Sequence, residues 1–345
     1  MSGPLDIFKQ NAFGVTSMAA AMKEIKYVPG FISKMNIFQT SSIDTLDVAI
    51  EKDAEQNIFI VPSSPRGGVG KTFGKNGRTM RTLRVPHFEV NDSIMADEVQ
   101  SVRAFSSNAV ETFQGRIANR AAEISQSYAL TEEFHKLKVV TEGKLYDADG
   151  ATVIYDYFAE FGESAPAEIA FDLSAASPAN GAFRKACASV HRAMAATLDG
   201  LSYTGIIALC GDAFFDDLIA LKEVTQTYLN QPAASVLRTS YVTNGQNGTF
   251  GAFEFGDIIW INYRGGQSVN IHTDKCKFIP VGVAGLFRSV YAPADYIETV
   301  NKPGQRLYAK LWEMANGKGM NLDYQTNVLH YCTRPRVLFS GRRGS

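Results

Sequence analysis

Between Ser63 and His87 the chain reads SSPRGGVGKTFGKNGRTMRTLRVPH, and this stretch constrains the fold more than any other. It holds six basic side chains (Arg66, Lys71, Lys75, Arg78, Arg81, Arg84) and five glycines without one acid. Gly70-Lys71-Thr72 matches the end of a phosphate-binding loop, and the apolar run 57–61 before it would supply the strand such a loop follows. Pro65 stands where that motif needs its first glycine, although Arg66-Gly67-Gly68 comes near the Lys-Gly-Gly opening of partition-type ATPases. The motif then requires a helix, whose N-terminal amides cradle phosphate. Gly74, Asn76 and Gly77 instead bring turn chemistry within five residues of Thr72. From Thr79 to Val85 basic residues mix with β-branched and apolar ones, which favours a second strand. Asp156, the best candidate for a Mg²⁺ ligand, ends a run that reads as part of a later hairpin. Strand, basic turn and strand make a long hairpin rather than a nucleotide site at 66–72.

A hairpin over 48–92 has too few apolar residues to build its own core, and an isolated two-stranded ribbon is marginal in water. Arms of about 20 residues at roughly 3.3 Å each would carry it far from its parent domain. It persists when something covers it, and in a self-assembling protein that cover is the next subunit.

At 345 residues the chain is long enough for two cores. Its 45% apolar and 20% charged residues are ordinary globular values, and a net charge of −1 argues against a general nucleic-acid binder. The basic hairpin is therefore a local patch, which leaves a DNA-binding module as a weaker reading. Cys187, Cys210, Cys276 and Cys332 lie 23, 66 and 56 residues apart without a CxxC pair, as suits a reducing compartment. No apolar run reaches 18 residues and no signal-peptide pattern opens the chain, so a soluble protein made inside the cell is expected.

Residues 1–47 read as an extended arm with a short helix near 16–25, or as an edge element packed on its own domain. Val110, Phe113, Ile117, Ala121, Ile124 and Tyr128 step by three and four, predicting one long amphipathic helix over about 107–137. Lys138–Val140 and Thr152–Tyr157 flank a turn at Asp147–Gly150, a hairpin signal. An α/β pattern follows. A helix is predicted from near Ser177 to Leu198, a buried strand at Ile206–Cys210, and a helix from Asp212 to about Tyr228. Further strands are expected at 251–264, 277–283 and within 306–339.

Enzyme constellations are poor. The five histidines are scattered, and His272-Thr273-Asp274-Lys275-Cys276 lacks the second ligand pair of a zinc site. Asp212, Asp216 and Asp217 fit a helix start better than an acidic catalytic cluster. No GxSxG occurs and no cysteine has an adjacent histidine. No catalytic, cofactor-binding or metal-binding residue is expected.

Several phrases taken together are more specific. They are Tyr27–Gly30, Val61–Gly68, Ala96–Phe105, Ala208–Gly211 with Phe214-Phe215, Ala292–Asp295 with Glu298–Asn301, and Cys332–Pro335. In this order they resemble the lambda-type major capsid protein (capsid protein E) family of tailed bacteriophages, over essentially the whole chain. The resemblance implies an α+β, HK97-like phage capsid fold. Its parts would be an N-terminal arm (1–47), an extended loop hairpin (48–96), a peripheral domain with a long spine helix (97–165), an axial α/β domain (166–305) and C-terminal strands returning to the peripheral domain (306–345). It implies a head protein that self-assembles as hexamers and pentamers into an icosahedral shell, made in the host bacterial cytoplasm and found in the virion. The implied partners are a decoration protein at local three-fold positions, scaffold and portal proteins, and packaged DNA bound non-specifically on the inner face, without a membrane. Arg66, Lys71, Arg78, Arg81 and Arg84 of the ribbon are then expected to meet carboxylates of adjacent subunits, with Asp97 and Glu98 as candidates. The glycines around Lys71, Lys75 and Asn76 make the tip too flexible for a lysine–asparagine crosslink.

Overall fold

A computed structural model describes residues 30–53, 78–99, 113–173, 180–229, 249–263 and 269–344. The expected helix near 16–25, Val110, and the ribbon tip with Arg66 and Lys71 lie outside the described residues.

The short helix α1 (Phe31–Lys34), strands β1 (Phe38–Ser42), β2 (Asp47–Asp53), β3 (Arg78–Arg84) and β4 (His87–Met95), and helix α2 (Ala96–Val99) precede the spine helix α3 (Phe113–Glu142). At 30 residues α3 is about 45 Å long. The three-and-four spacing does what it predicts. Ile117, Ala121 and Ile124 pack on Ile94, on Ala309 and Leu311 of β13 (Tyr308–Glu313), and on Met320, Leu322 and Tyr324 of β14 (Gly319–Cys332). The Tyr128 hydroxyl donates to the Tyr324 carbonyl at 2.7 Å, closing this core. The second half of α3 enters a separate and larger core through Phe134, Leu137, Val139 and Val140. One helix thus belongs to both cores.

Residues 138–140, expected as a strand, are helical. Val139 and Val140 are buried there, and the helix runs on to Gly143, whose φ of 64° ends it. The hairpin follows directly, β5 (Lys144–Tyr146) pairing antiparallel with β6 (Val153–Asp156), and the Asp149 carboxylate accepts from the amides of Ala151 and Thr152 in its turn.

Strand β14 organises the peripheral sheet. Residues 319–327 pair with β4, 320–325 with β13, and 328–332 with β12 (Phe287–Tyr291). Strand β1 adds in parallel on the far side of β12. Residues 38–42 are therefore an edge strand on their own subunit, the alternative weighed for the arm. Residues 87–95 belong to this sheet, so among the described residues the ribbon is β2 and β3.

The axial sheet has the order β7 (Ile169–Ala170), β15 (Ser340–Arg342), β11 (Lys275–Val281), β8 (Gly205–Cys210), β10 (Ile258–Tyr263), β9 (Thr249–Phe255). Before it, α4 (Tyr157–Phe161) follows the hairpin, and α5 (Ala182–Leu198) buries Phe183, Cys187, Val190 and Met194 as its spacing predicts. Gly256 and Asp257 both have positive φ in the β9–β10 turn, the conformation that suits a tight hairpin. The expected helix 212–228 is two helices, α6 (Asp212–Ala220) and α7 (Lys222–Leu229), because Leu221 leaves helical space at ψ 130°. Asp212 begins α6, but Asp217 lies toward its other end and pairs with Arg343, so this acid serves a tertiary contact and not the helix start. Among the described residues no cluster suited to a metal is present, His272–Cys276 included, and no helix is long and apolar enough to cross a membrane.

Candidate assembly surfaces

Strands β2 and β3 form a sheet of their own, paired from Asp47↔Arg84 to Asp53↔Arg78. Alternation gives the ribbon two unlike faces. Val48 and Leu83 are buried in the large core, Ile50 packs against it, and the Tyr155 hydroxyl donates to the Arg84 carbonyl at 2.8 Å. The opposite face carries Ala49, Met80, Thr82 and Arg84, all exposed, with Met80 64% accessible. The subunit body therefore grips the ribbon by its base.

The expected contact residues divide. Arg81, on the inner face, reaches Glu160 of its own subunit at 3.4 Å. The Glu98 carboxylate accepts from the Met95 amide at 3.2 Å and lies 3.8 Å from Arg116. Arg84 and Asp97 are exposed. Arg78 enters through its backbone pairing with Asp53.

Where the two cores meet, α3 turns polar side chains inward. The Glu133 carboxylate accepts from the amides of Ile32 (2.7 Å) and Ser33 (3.0 Å), tying down the start of α1. Gly30 leaves room for it, since a Cβ there would sit 2.1 Å from the Glu133 Cδ. Glu132 receives Lys136 at 2.7 Å and the Arg306 Nε at 2.9 Å. Burial acts to raise the Glu132 carboxyl, but the cations Lys136 and Arg306 hold it down at about 2. Burial pushes His135 down to about 4 and His330 well below the ordinary imidazole range. His330 shares a 2.7 Å hydrogen bond with the Ser289 hydroxyl, and His135 lies against Phe88 at 5.0 Å. This node ties α1, α3, β4, β12 and β14 into one body. The helical pattern did not reveal it, because the three-and-four stripe read from the sequence ends at Tyr128, before Glu132, Glu133 and His135. The lack of alternation in β14, whose last eleven residues are all buried, was the available hint.

Among the described residues, the quoted phrases at 208–215, 292–301 and 332–335 fall where segments clamp each other. The Asn327 amide donates to the Pro293 carbonyl at 2.6 Å, and the Asp295 amide to the Gln325 side chain at 3.2 Å. The Thr333 hydroxyl donates to the Gly285 carbonyl, and the Arg334 guanidinium to the Leu198 carbonyl that ends α5. Gly211 passes so near residues 272–273 that a Cβ would meet the His272 carbonyl oxygen at 2.2 Å.

Two cores strung on one helix, with a ribbon gripped by its base, define the class of HK97-like shell subunits. The family described as phage major capsid protein E matches residues 14–343, and the chain belongs to that family. It is a structural family of the phage head, found in the virion and not a family of enzymes, and the assignment displaces the ATPase reading of residues 66–72. The chain is 27% identical over 353 residues to the major capsid protein of Pseudomonas phage KPP10, covering 96% of this chain and 97% of that one. It is 22% identical to that of Salmonella phage Felix O1, covering 97% of each. Among solved structures, a capsid protein of an E. coli CFT073 prophage aligns with a TM-score of 0.57 at 13% identity, over 95% of this chain and 97% of that one. The capsid of Ralstonia phage GP4 aligns with a TM-score of 0.50 at 9% identity, over 92% of each. Copies of such a subunit assemble with one another into a capsid shell.

Proposed function

We propose that the shell closes through the ribbon, each copy laying β2–β3 on a neighbour. The observation that carries this is the unlike pair of ribbon faces, one anchored by Val48 and Leu83 and the other holding Met80, Thr82 and Arg84, with Asp47 opposite Arg84, in water. A two-stranded ribbon is marginal in water by itself, and a face that its own subunit leaves uncovered is open to a neighbour. The basic residues Arg66, Lys71, Arg78 and Arg84 meet carboxylates across the contact, Asp97 among them, while Arg81 and Glu98 divide their charge with Glu160 and Arg116 of their own subunit. The subunits form hexamers and pentamers in the host bacterial cytoplasm, with scaffold and portal proteins, around DNA held non-specifically on the inner face. A decoration protein at the local three-fold positions stabilises the finished shell without a covalent crosslink. These partners rest on the resemblance of the sequence to lambda-type capsid proteins. The test is the Met80→Asp, Arg84→Glu variant. It should give soluble, folded subunits and few or no shells, because exposed changes usually cost the fold within about 0.5 kcal/mol. Normal shells, or loss of soluble subunit, would count against the ribbon. For the crosslink, denaturing electrophoresis of mature heads should show the subunit as one 37.7 kDa band without a ladder of its multiples, and such a ladder would overturn that reading.

A further inference from the structure

We propose that Cys210 and Cys276 are a redox pair, which a hydroperoxide converts to a disulfide across the centre of the axial sheet.

The two cysteines stand directly opposite one another on the antiparallel neighbours β8 and β11. The Gly211 amide donates to the Lys275 carbonyl at 2.9 Å, so the next pair along, Cys210 with Cys276, is the one without ladder hydrogen bonds. Opposed residues of that kind have Cα atoms about 4.5 Å apart, inside the roughly 4.4–6.8 Å that a disulfide spans. Both side chains leave the sheet on the same face, and the Cys276 thiol is in hydrogen-bonding contact with that of Cys210. All four cysteines are buried free thiols, but the other two are placed differently. Cys187 belongs to α5, and Cys332 stands opposite Phe287 in the peripheral sheet. Neither faces a cysteine across a ladder.

Access is through β15. Gly341 pairs with Cys276 on the side away from β8, and a Cβ there would sit 2.6 Å from the Cys276 sulfur. The backbone of β15 thus lies on the thiol, and this strand is three residues long. Local openings of such elements occur far more often than global unfolding. Burial pushes the Cys276 thiol well above its ordinary range, which keeps the pair inert while β15 is closed.

The chemistry balances with one peroxide. The thiolate of one cysteine attacks a peroxide oxygen, an S–O bond forms, the O–O bond breaks, and the leaving oxyanion takes up the proton that the thiol released. The second thiolate then attacks the sulfenic sulfur, forming the S–S bond as the S–O bond breaks and water leaves. Two thiols give up two electrons, and the peroxide accepts them. The product ties together positions 66 residues apart and so restricts the unfolded chain. A protein of the virion spends part of its existence outside the cell, where thiols are not kept reduced.

Treating the native, unassembled subunit with hydrogen peroxide, then alkylating it without reduction, tests the pair by mass spectrometry. The subunit should lose two of its four thiols and two hydrogens of mass, and its peptide map should join 210 to 276. Dithiothreitol should restore both thiols, and the oxidised form should unfold at higher urea than the reduced one. Cys187→Ala and Cys332→Ala should still form the bond, and Cys276→Ala should not. Four free thiols after peroxide would overturn the proposal, as would a disulfide through Cys187 or Cys332, sulfinic acid without an S–S bond, or an oxidised form that unfolds at lower urea. Where Cys276→Ala does not fold, the wild-type peptide map decides.

Discussion

Glu132 and His135 lie within one turn of α3 and titrate in the same sense. In an unfolded chain His135 takes up a proton near 6.5 and Glu132 near 4.5; in the folded subunit they do so near 4 and near 2. The unfolded state therefore binds more protons throughout that interval, and stability falls as pH drops from about 6.5. Burial holds His330 neutral in the same way, while Lys136 and Arg306 face the group as fixed cations and Asp147 and Glu132 as anions. Urea midpoints of the unassembled subunit should decline between about pH 6.5 and 5, before ordinary carboxylates titrate. A His135→Phe variant, which can keep the contact with Phe88, should show a shallower decline; an unchanged profile would assign the loss to other groups. A second prediction concerns Gly30, where even one methyl collides with the Glu133 carboxylate. Gly30→Ala should cost about 1–3 kcal/mol, the usual toll of overpacking, and a neutral result in chemical denaturation would mean that the carboxylate swings aside freely. The sequence showed Gly30 as part of one of the phrases that carry the family resemblance and nothing of Glu133, which sits 103 residues away. Partners that distant leave no local signal.

The spine helix is where pattern and structure agree best, because a three-and-four spacing can bury a stripe in one way. Ile117 is buried between α3 and the peripheral sheet, so Ile117→Ala should cost roughly 2–5 kcal/mol. Leu130 on the same helix is exposed, and Leu130→Ala should stay within about 0.5 kcal/mol. Equal effects in urea denaturation would contradict the two-core assignment. The pattern failed at the ends of elements. Lys138–Val140 has strand composition yet lies in the helix, since Val139 and Val140 face the large core and Gly143 supplies the stop one turn later. The pairing of residues 87–95 with β14 was equally hidden, because partners 224 to 240 residues apart, from Met95↔Gly319 to His87↔Asn327, are not local information. Of the ribbon strands, β3 was legible from basic and β-branched composition after the glycines, whereas β2 carries no such signal and the apolar run 57–61 expected as the other arm lies outside the described residues.

At the scale of the whole molecule, two cores joined by one helix and locked by a buried polar node make a body rigid enough to tile, and the ribbon is the joint we propose. The central claim is that this body exists to assemble and that the ribbon makes the joint. Cryo-electron microscopy of the purified protein after assembly tests it most directly. The account predicts closed icosahedral shells in which β2–β3 of each copy lies on a neighbouring subunit. Dispersed single subunits, or shells in which every ribbon folds back on its own subunit, would contradict it.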